Sequence, residues 1–132
     1  MLAQDYNLIT YKIIRYGIEI HKILGPGLME SVYEVCLYEE MQDYGRTVER
    51  QKLLPVNYKG NPLIKEFVID QLVDNEIILE LKSVESILPV HEAQLLTYLK
   101  LSKKKLGLLI NFNVPVLKEG IRRKINGNLN HK

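Results

Sequence analysis

The sequence predicts an α/β fold in which two helices are followed by three strands, a third helix and a further strand. Apolar residues near the start recur at helical spacing, for example at Ile9, Ile13, Tyr16 and Ile20. The middle of the chain consists of short apolar runs separated by turn residues, which is typical of strands. Residues 106–112 form a nearly continuous apolar run, as expected for a strand covered on both faces.

The first two helices are predicted at residues 6–24 and 28–44. Gly25-Pro26-Gly27 ends the first, because proline cannot continue a helix and glycine accepts the left-handed conformation that follows many helices. Gly45 ends the second helix for the same reason.

The extended segments come next. Residues 47–58 are interrupted by Pro55, which predicts an edge strand or a bulge. Residues 60–62 form a turn, and residues 63–73 lead into a hairpin. The third helix begins at Pro89 and runs to about residue 101, and the tail from Gly120 is expected to fray near its end.

The hairpin joins residues 67–73 to residues 77–81. A loop of two residues would turn Asp70 and Glu80 to opposite faces, whereas a three-residue loop at 74–76 places them directly across from each other. We predict the three-residue loop. One face then carries Val68, Asp70, Leu72, Ile78, Glu80 and Lys82, and the other is wholly apolar, with Phe67, Ile69, Val73, Ile77, Leu79 and Leu81.

Asp70, Glu80 and Lys82 would bring two acids and an amine together on the hairpin. Opposed carboxylates repel each other, and a hard divalent cation relieves that repulsion by taking their oxygens, a backbone carbonyl and water as ligands. The alternative is an ordinary solvated hairpin edge with surface charges.

Two helical residues are further candidates. Glu30 is either a first-turn acid stabilised by the helix dipole or a side chain turned toward a site. Gln94 lies one turn before Tyr98 on an apolar-flanked face and needs partners for its amide, which the backbone of an adjacent strand could also supply. Tyr33 is expected to be a packed ring with a bonded hydroxyl, and His21 and His91 to be structural or surface residues.

The chain of 132 residues has the size of a single domain, predicted to span residues 1–132. Its formal charge of +2 does not by itself indicate nucleic-acid binding. Its basic residues cluster, however, at Lys100, Lys103, Lys104 and Lys105 and again at Arg122, Arg123 and Lys124. No run approaches a membrane span and no secretory signal is visible, so we expect a cytoplasmic protein without a membrane partner. The lone Cys36 excludes an internal disulfide.

The ordered set of Glu30, Asp70, Glu80-Leu81-Lys82, Gln94 and Tyr98 resembles the PD-(D/E)XK nuclease superfamily. That resemblance implies a restriction-endonuclease-like αβββαβ core with a mixed central sheet flanked by helices. The segment Gly27-Leu28-Met29-Glu30-Ser31-Val32-Tyr33 is similar, more narrowly, to the signature of the small GxxExxY family. Members of that family commonly have Arg and Ala before the aspartate, where this chain has Val68 and Ile69.

The resemblance implies a role for each matched residue. Asp70, Glu80 and the carbonyl of Leu81 would hold Mg²⁺ or Mn²⁺, supported by Glu30, often through water. Lys82 would orient or activate the attacking water, and Gln94 would be an accessory residue.

The predicted function is therefore metal-dependent hydrolysis of phosphodiester bonds in nucleic acid, with DNA favoured over RNA. The lysine cluster at residues 100–105 would contact the phosphate backbone. A homodimer or a targeting protein partner is compatible with so short a chain. The alternatives are a nuclease-fold module that binds nucleic acid or a protein without cutting, and a structural interaction protein.

Overall fold

The computed structural model describes residues 1–130, apart from the side chains of residues 64–66. Over that span the helices and strands follow in the order α1 (Ala3–Leu24), α2 (Glu30–Asp43), β1 (Val48–Tyr58), β2 (Asn61–Val73), β3 (Ile77–Lys82), α3 (Pro89–Ser102), β4 (Leu106–Asn111) and β5 (Ile121–Ile125). A short 3₁₀ turn at Leu117–Gly120 precedes β5.

The strands form one mixed sheet in the order β1-β2-β3-β4-β5. Neighbouring strands are antiparallel except β3 and β4, which are parallel. Parallel neighbours need a crossover connection, which α3 provides. Helices α1 and α2 cover one face of the sheet and α3 covers the other. The predicted α/β fold with a mixed central sheet flanked by helices is confirmed.

Strands β3 and β4 form the centre of the core. Successive residues of β3 face opposite layers, with Leu79 packed toward α1 and α2 and Ile78 packed toward α3. Every residue of β4 is buried, as its continuous apolar sequence predicts. The ring of Phe112, just beyond β4, stacks on Tyr33 of α2 with 4.4 Å between ring centroids.

The β2–β3 hairpin has the predicted three-residue loop. Val73 pairs with Ile77 and Gln71 pairs with Leu79. Asp74 and Asn75 in the loop adopt left-handed backbone angles, φ 52° and 59°, which Asp and Asn tolerate better than most residues. Continuing this register places Asp70 across from Glu80.

The predicted division of the hairpin into two faces is wrong in part. Phe67 and Ile69 lie on the side of the sheet that α3 covers. The ring centroids of Phe67 and Tyr98 are 5.3 Å apart, and Ile69 packs in the hydrophobic cluster that contains Leu95 and Leu99 of α3. The opposite face is not wholly apolar, because it carries the buried amide of Gln71. The cause is a shift of side-chain alternation along β2.

Two other elements differ in detail from the sequence prediction. The turn after β1 is Lys59–Gly60, and Asn61 already belongs to β2. Pro55 does mark an edge strand with a register shift, as expected. The tail forms β5 against β4, which the sequence did not predict. The expected fraying concerns residues up to 132, and residues 131–132 lie outside the described part of the chain.

Within residues 1–130, no helix is long and apolar enough to cross a membrane.

The expected structural roles of three polar rings are confirmed. The Tyr33 hydroxyl donates to the carbonyl of Gly25 at 2.6 Å and accepts from the N–H of Leu28. His21 Nε2 lies 2.8 Å from the carbonyl oxygen of Val114. Nδ1 of His91 accepts the N–H of Leu88 at the start of α3.

Candidate active site

The candidate site lies where the backbone ladder between β2 and β3 ends. Beyond the Gln71–Leu79 pair, side chains replace ladder hydrogen bonds. The N–H of Asp70 donates to Glu80 Oε1 at 3.3 Å, and the N–H of Leu81 donates to Asp70 Oδ2 at 2.8 Å. Each carboxylate therefore bonds to the other strand, and Asp70 and Glu80 become neighbours in the gap between the two strands.

On both β1 and β2, the alternation of side chains between the two faces of the sheet shifts by one residue near the candidate site. On β1, Arg50 bonds to Glu34 of α2, whereas Leu54 packs on the α3 side. Residues an even number of positions apart on a regular strand share a face, so the alternation must shift between them. On β2, Ile69 and Gln71 differ in the same way. As a result, the side chains of the paired residues Arg50 and Gln71 both face α2 at the same level of the sheet.

A cavity of about 250 Å³ lies between α2 and this level of the sheet. Its lining residues come from α2, β1, β2 and β3 and are Glu30, Ser31, Glu34, Gln51, Asp70 and Leu81. The structure thus brings the predicted residues Glu30 and Asp70 to one cavity. Glu30 is also the first residue of α2, where the helix dipole stabilises an acid, and its role in a site stays a prediction.

Glu80 is the most strongly perturbed titratable group of the site. This residue is only 8% exposed, and burial together with the nearby charge of Asp70 raises the pKa of Glu80 to about 9. The positive charge of Lys82 acts in the opposite direction, which places this amine within electrostatic reach of Glu80. A buried carboxylate beside a second carboxylate is unfavourable unless a proton or a bound cation neutralises it, and without metal the proton does so at neutral pH.

The donor set suits a hard divalent cation. Asp70 and Glu80 offer carboxylate oxygens at adjacent positions of the two strands. Leu81 lines the cavity together with Asp70, whereas Glu80 is not among the residues that line it. Mg²⁺ and Mn²⁺ prefer oxygen ligands of this type and commonly keep several waters. Among the described side chains, those of residues 1–63 and 67–130, no three from Asp, Glu, His or Cys converge closely enough to hold an ion by themselves. Any cation here would therefore need backbone oxygen or water as further ligands.

Gln94 and Tyr98 of α3 lie on the other side of this gap. Burial first, and then the charges of Glu80 and Asp70, raise the pKa of Tyr98, while a hydrogen bond from Gln94 lowers it. The Tyr98 hydroxyl therefore stays protonated at neutral pH. Gln94 itself is exposed.

The predicted lysine cluster does not converge on the carboxylates. In the parallel β3–β4 pair, Ile77 lies beside Leu106, whereas Glu80 lies beside Leu109. Lysines 103–105 therefore lie near the opposite end of β3, roughly 10 Å or more from Glu80 at the strand rise per residue. Lys104 reaches Asn75 of the hairpin loop at 3.5 Å. In the second basic group, Lys124 pairs with Glu92 of α3 at 2.8 Å.

Sequence reasoning assigned no role to Glu34, which lines the same cavity one turn after Glu30. Arg50 donates to both carboxylate oxygens of Glu34, at 2.9 and 2.5 Å, and the Gln71 amide donates to one of them at 2.7 Å. Burial pushes the pKa of Glu34 upward, but these hydrogen bonds outweigh it and hold the pKa below its ordinary value. The four-residue spacing from Glu30 was the available signal, because it places both acids on one helical face.

We expect Arg50→Met to destabilise the fold by about 1–2 kcal/mol at neutral pH, because Glu34 would stay buried without its main partner. The Glu34 pKa is lowered by folding, so this contribution is present above the ordinary glutamate pKa. It disappears as the pH falls through the folded-state value. Urea denaturation of the wild type and the variant measures the destabilisation at pH 7 and its loss at pH 3.

Lys52→Met is the matched control, since Lys52 pairs with Glu49 on the surface, where ion pairs contribute little. Equal destabilisation by both substitutions would contradict a structural role for the Arg50–Glu34 pair.

The chain was also compared with models of known protein families. The family model described as the PD-(D/E)XK nuclease superfamily matches residues 7–124, which include every site residue discussed above. Comparisons with curated proteins and with solved structures give no significant match.

Proposed function

Because the chain belongs to the PD-(D/E)XK nuclease superfamily, we propose that it hydrolyses phosphodiester bonds of nucleic acid in a metal-dependent reaction. The observation that carries the proposal is the pair of neighbouring carboxylates, Asp70 and Glu80, at the end of the β2–β3 ladder. A buried pair of this kind is costly for folding and is useful when it binds a cation.

Asp70, Glu80 and the carbonyl oxygen of Leu81 would hold Mg²⁺ or Mn²⁺, and Glu30 would support the ion through water from across the cavity. When bound, a divalent ion of this kind neutralises a phosphate oxygen and lowers the pKa of a bound water. Lys82 lies near Glu80 and would place its positive charge beside the reacting phosphate. Gln94 would act as an accessory donor next to Tyr98.

The sequence pattern is the basis on which we propose the narrower family, the substrate, the phosphate contacts and the partners. Resemblance at Glu30 and Tyr33 supports membership of the GxxExxY family, with DNA as the favoured substrate over RNA. Lys100, Lys103, Lys104 and Lys105 would contact phosphates away from the reacting bond, which makes binding salt-dependent. A single domain, a cytoplasmic location, and a homodimer or targeting partner also stay predictions.

The direct test is incubation of the purified protein with labelled single- and double-stranded DNA and RNA. Parallel reactions contain Mg²⁺, Mn²⁺ or EDTA, and include Lys82→Ala. We expect cleavage that requires the metal and that Lys82→Ala lowers by about 10²-fold, the typical effect of removing one electrostatic contact to a transition state. We also expect Mn²⁺ to raise the melting temperature of the wild-type protein, because a ligand that binds only the folded state stabilises it.

The other outcomes distinguish the alternatives. Salt-sensitive binding of nucleic acid without any cleavage would support the non-cutting module and contradict the nuclease. Absence of cleavage, of nucleic-acid binding and of a Mn²⁺-dependent melting shift would exclude both.

A further inference from the structure

Gln51 has an unusual backbone conformation for a residue within a strand. Its φ of 48° lies in the left-handed region, which residues other than glycine rarely adopt. The pairs Arg50–Gln71 and Lys52–Ile69 bracket it, so Gln51 lies across from Asp70 on the neighbouring strand. The conformation coincides with the shift of alternation that turns polar side chains toward α2.

The conformation alone does not account for a glutamine here. Glycine adopts a positive φ without steric cost and would allow the same shift of the strand. A long polar side chain at a strained position near a cavity points to a use for that side chain. Gln51 does line the cavity that contains Asp70 and Glu30.

The chemistry of the cavity indicates what this use is. Three of its lining side chains, Glu30, Glu34 and Asp70, are acids. A phosphate group entering such a cavity needs hydrogen-bond donors as well as a cation. Ser31 offers one hydroxyl, whereas the Gln51 amide offers two N–H donors without adding charge.

We propose that Gln51 binds the nucleic-acid substrate by donating a side-chain N–H to a phosphate oxygen beside Asp70. This inference rests on the proposed function, since it requires that nucleic acid enter the cavity. It assigns Gln51 to substrate binding, separate from the residues that would hold the metal.

The test compares substitutions of Gln51 with Lys59→Gly. Lys59 has a φ of 51° in the hairpin turn after β1, so its glycine variant relieves similar backbone strain away from the cavity. Binding of labelled single- and double-stranded DNA is measured in Ca²⁺, a cation that also takes oxygen ligands, and melting temperatures are measured in parallel. Cleavage of the same DNA is followed in Mg²⁺ and Mn²⁺.

We expect Gln51→Gly to weaken DNA binding by about 10-fold, the effect of losing one hydrogen bond to a charged group. Both glycine variants should melt a few degrees higher than the wild type or unchanged, and Lys59→Gly should keep full affinity. Gln51→Asn, which keeps the amide on a shorter chain, should bind between wild type and Gln51→Gly. Gln51→Glu should bind most weakly, because its charge repels phosphate.

Two failures are distinguishable. If the wild type binds and cleaves DNA and Gln51→Gly binds equally well, the inference about Gln51 is wrong while the proposed function stands. If the wild type neither binds nor cleaves any nucleic acid, the proposed function is wrong and the inference falls with it.

Discussion

Asp70→Asn should lower metal-dependent cleavage by at least about 10²-fold while leaving the fold intact. Asparagine has nearly the same shape, and its side-chain oxygen can still accept the N–H of Leu81. What it lacks is the negative charge that would attract a divalent cation beside Glu80. Because the cation would neutralise a phosphate oxygen and activate water, losing it removes several effects at once.

Initial cleavage rates across a Mn²⁺ titration measure this prediction, with circular dichroism to check the fold. Asp43→Asn, at the end of α2, is a matched control that should cleave like the wild type. An Asp70→Asn protein with wild-type rates at every Mn²⁺ concentration would exclude this carboxylate as a metal ligand and would contradict the proposed site.

The second large effect concerns stability in the absence of metal. Glu80→Gln should stabilise the metal-free protein by on the order of 3 kcal/mol at pH 7. The folded protein holds the Glu80 proton up to a pKa of about 9, far above the ordinary value of 4.5. Between these values the unfolded chain loses this proton while the folded chain keeps it. Stability therefore falls as the pH rises through this range, and glutamine removes that loss.

The gain should be near zero at pH 4, grow steadily through neutral pH and level off above pH ~9. Urea denaturation in EDTA at several pH values measures it, and the exposed Glu85→Gln is the control. Adding Mn²⁺ should stabilise the wild type more than Glu80→Gln, because the cation would bind the ionised carboxylate. A gain independent of pH would contradict the raised pKa of Glu80.

The sequence was sufficient for the part of the site that depends on strand periodicity. Apolar runs located the β2–β3 hairpin, and the choice of a three-residue loop correctly predicted its register. That register alone places Asp70 beside Glu80. Helical spacing similarly placed Glu30 at the start of α2, where it does line the cavity. The roles of these residues in metal binding stay predictions.

The features that were missed depend on tertiary structure. Strict alternation assigned Ile69 to the wrong face of the sheet. The alternation shifts in both β1 and β2 near Gln51, whose backbone is left-handed, and no sequence pattern predicts that conformation. Strand β5 was missed because its basic sequence, Ile121–Ile125, is half-exposed and pairs only with β4. The position of the lysine cluster relative to the carboxylates also depends on tertiary structure, because it follows from the parallel pairing of β3 and β4, and its contact with phosphate stays a prediction.

The parallel pairing of β3 with β4 also has a consequence for folding kinetics. A hairpin can close as soon as it is synthesised, whereas β3 gains its second neighbour only after the whole of α3 and β4 has been made. Such non-local pairing carries a loop-closure cost and slows folding. We therefore expect a nascent chain that ends before β4 to leave the segment bearing Glu80 and Lys82 without its central neighbour, so that the candidate site forms only after β4 has been made.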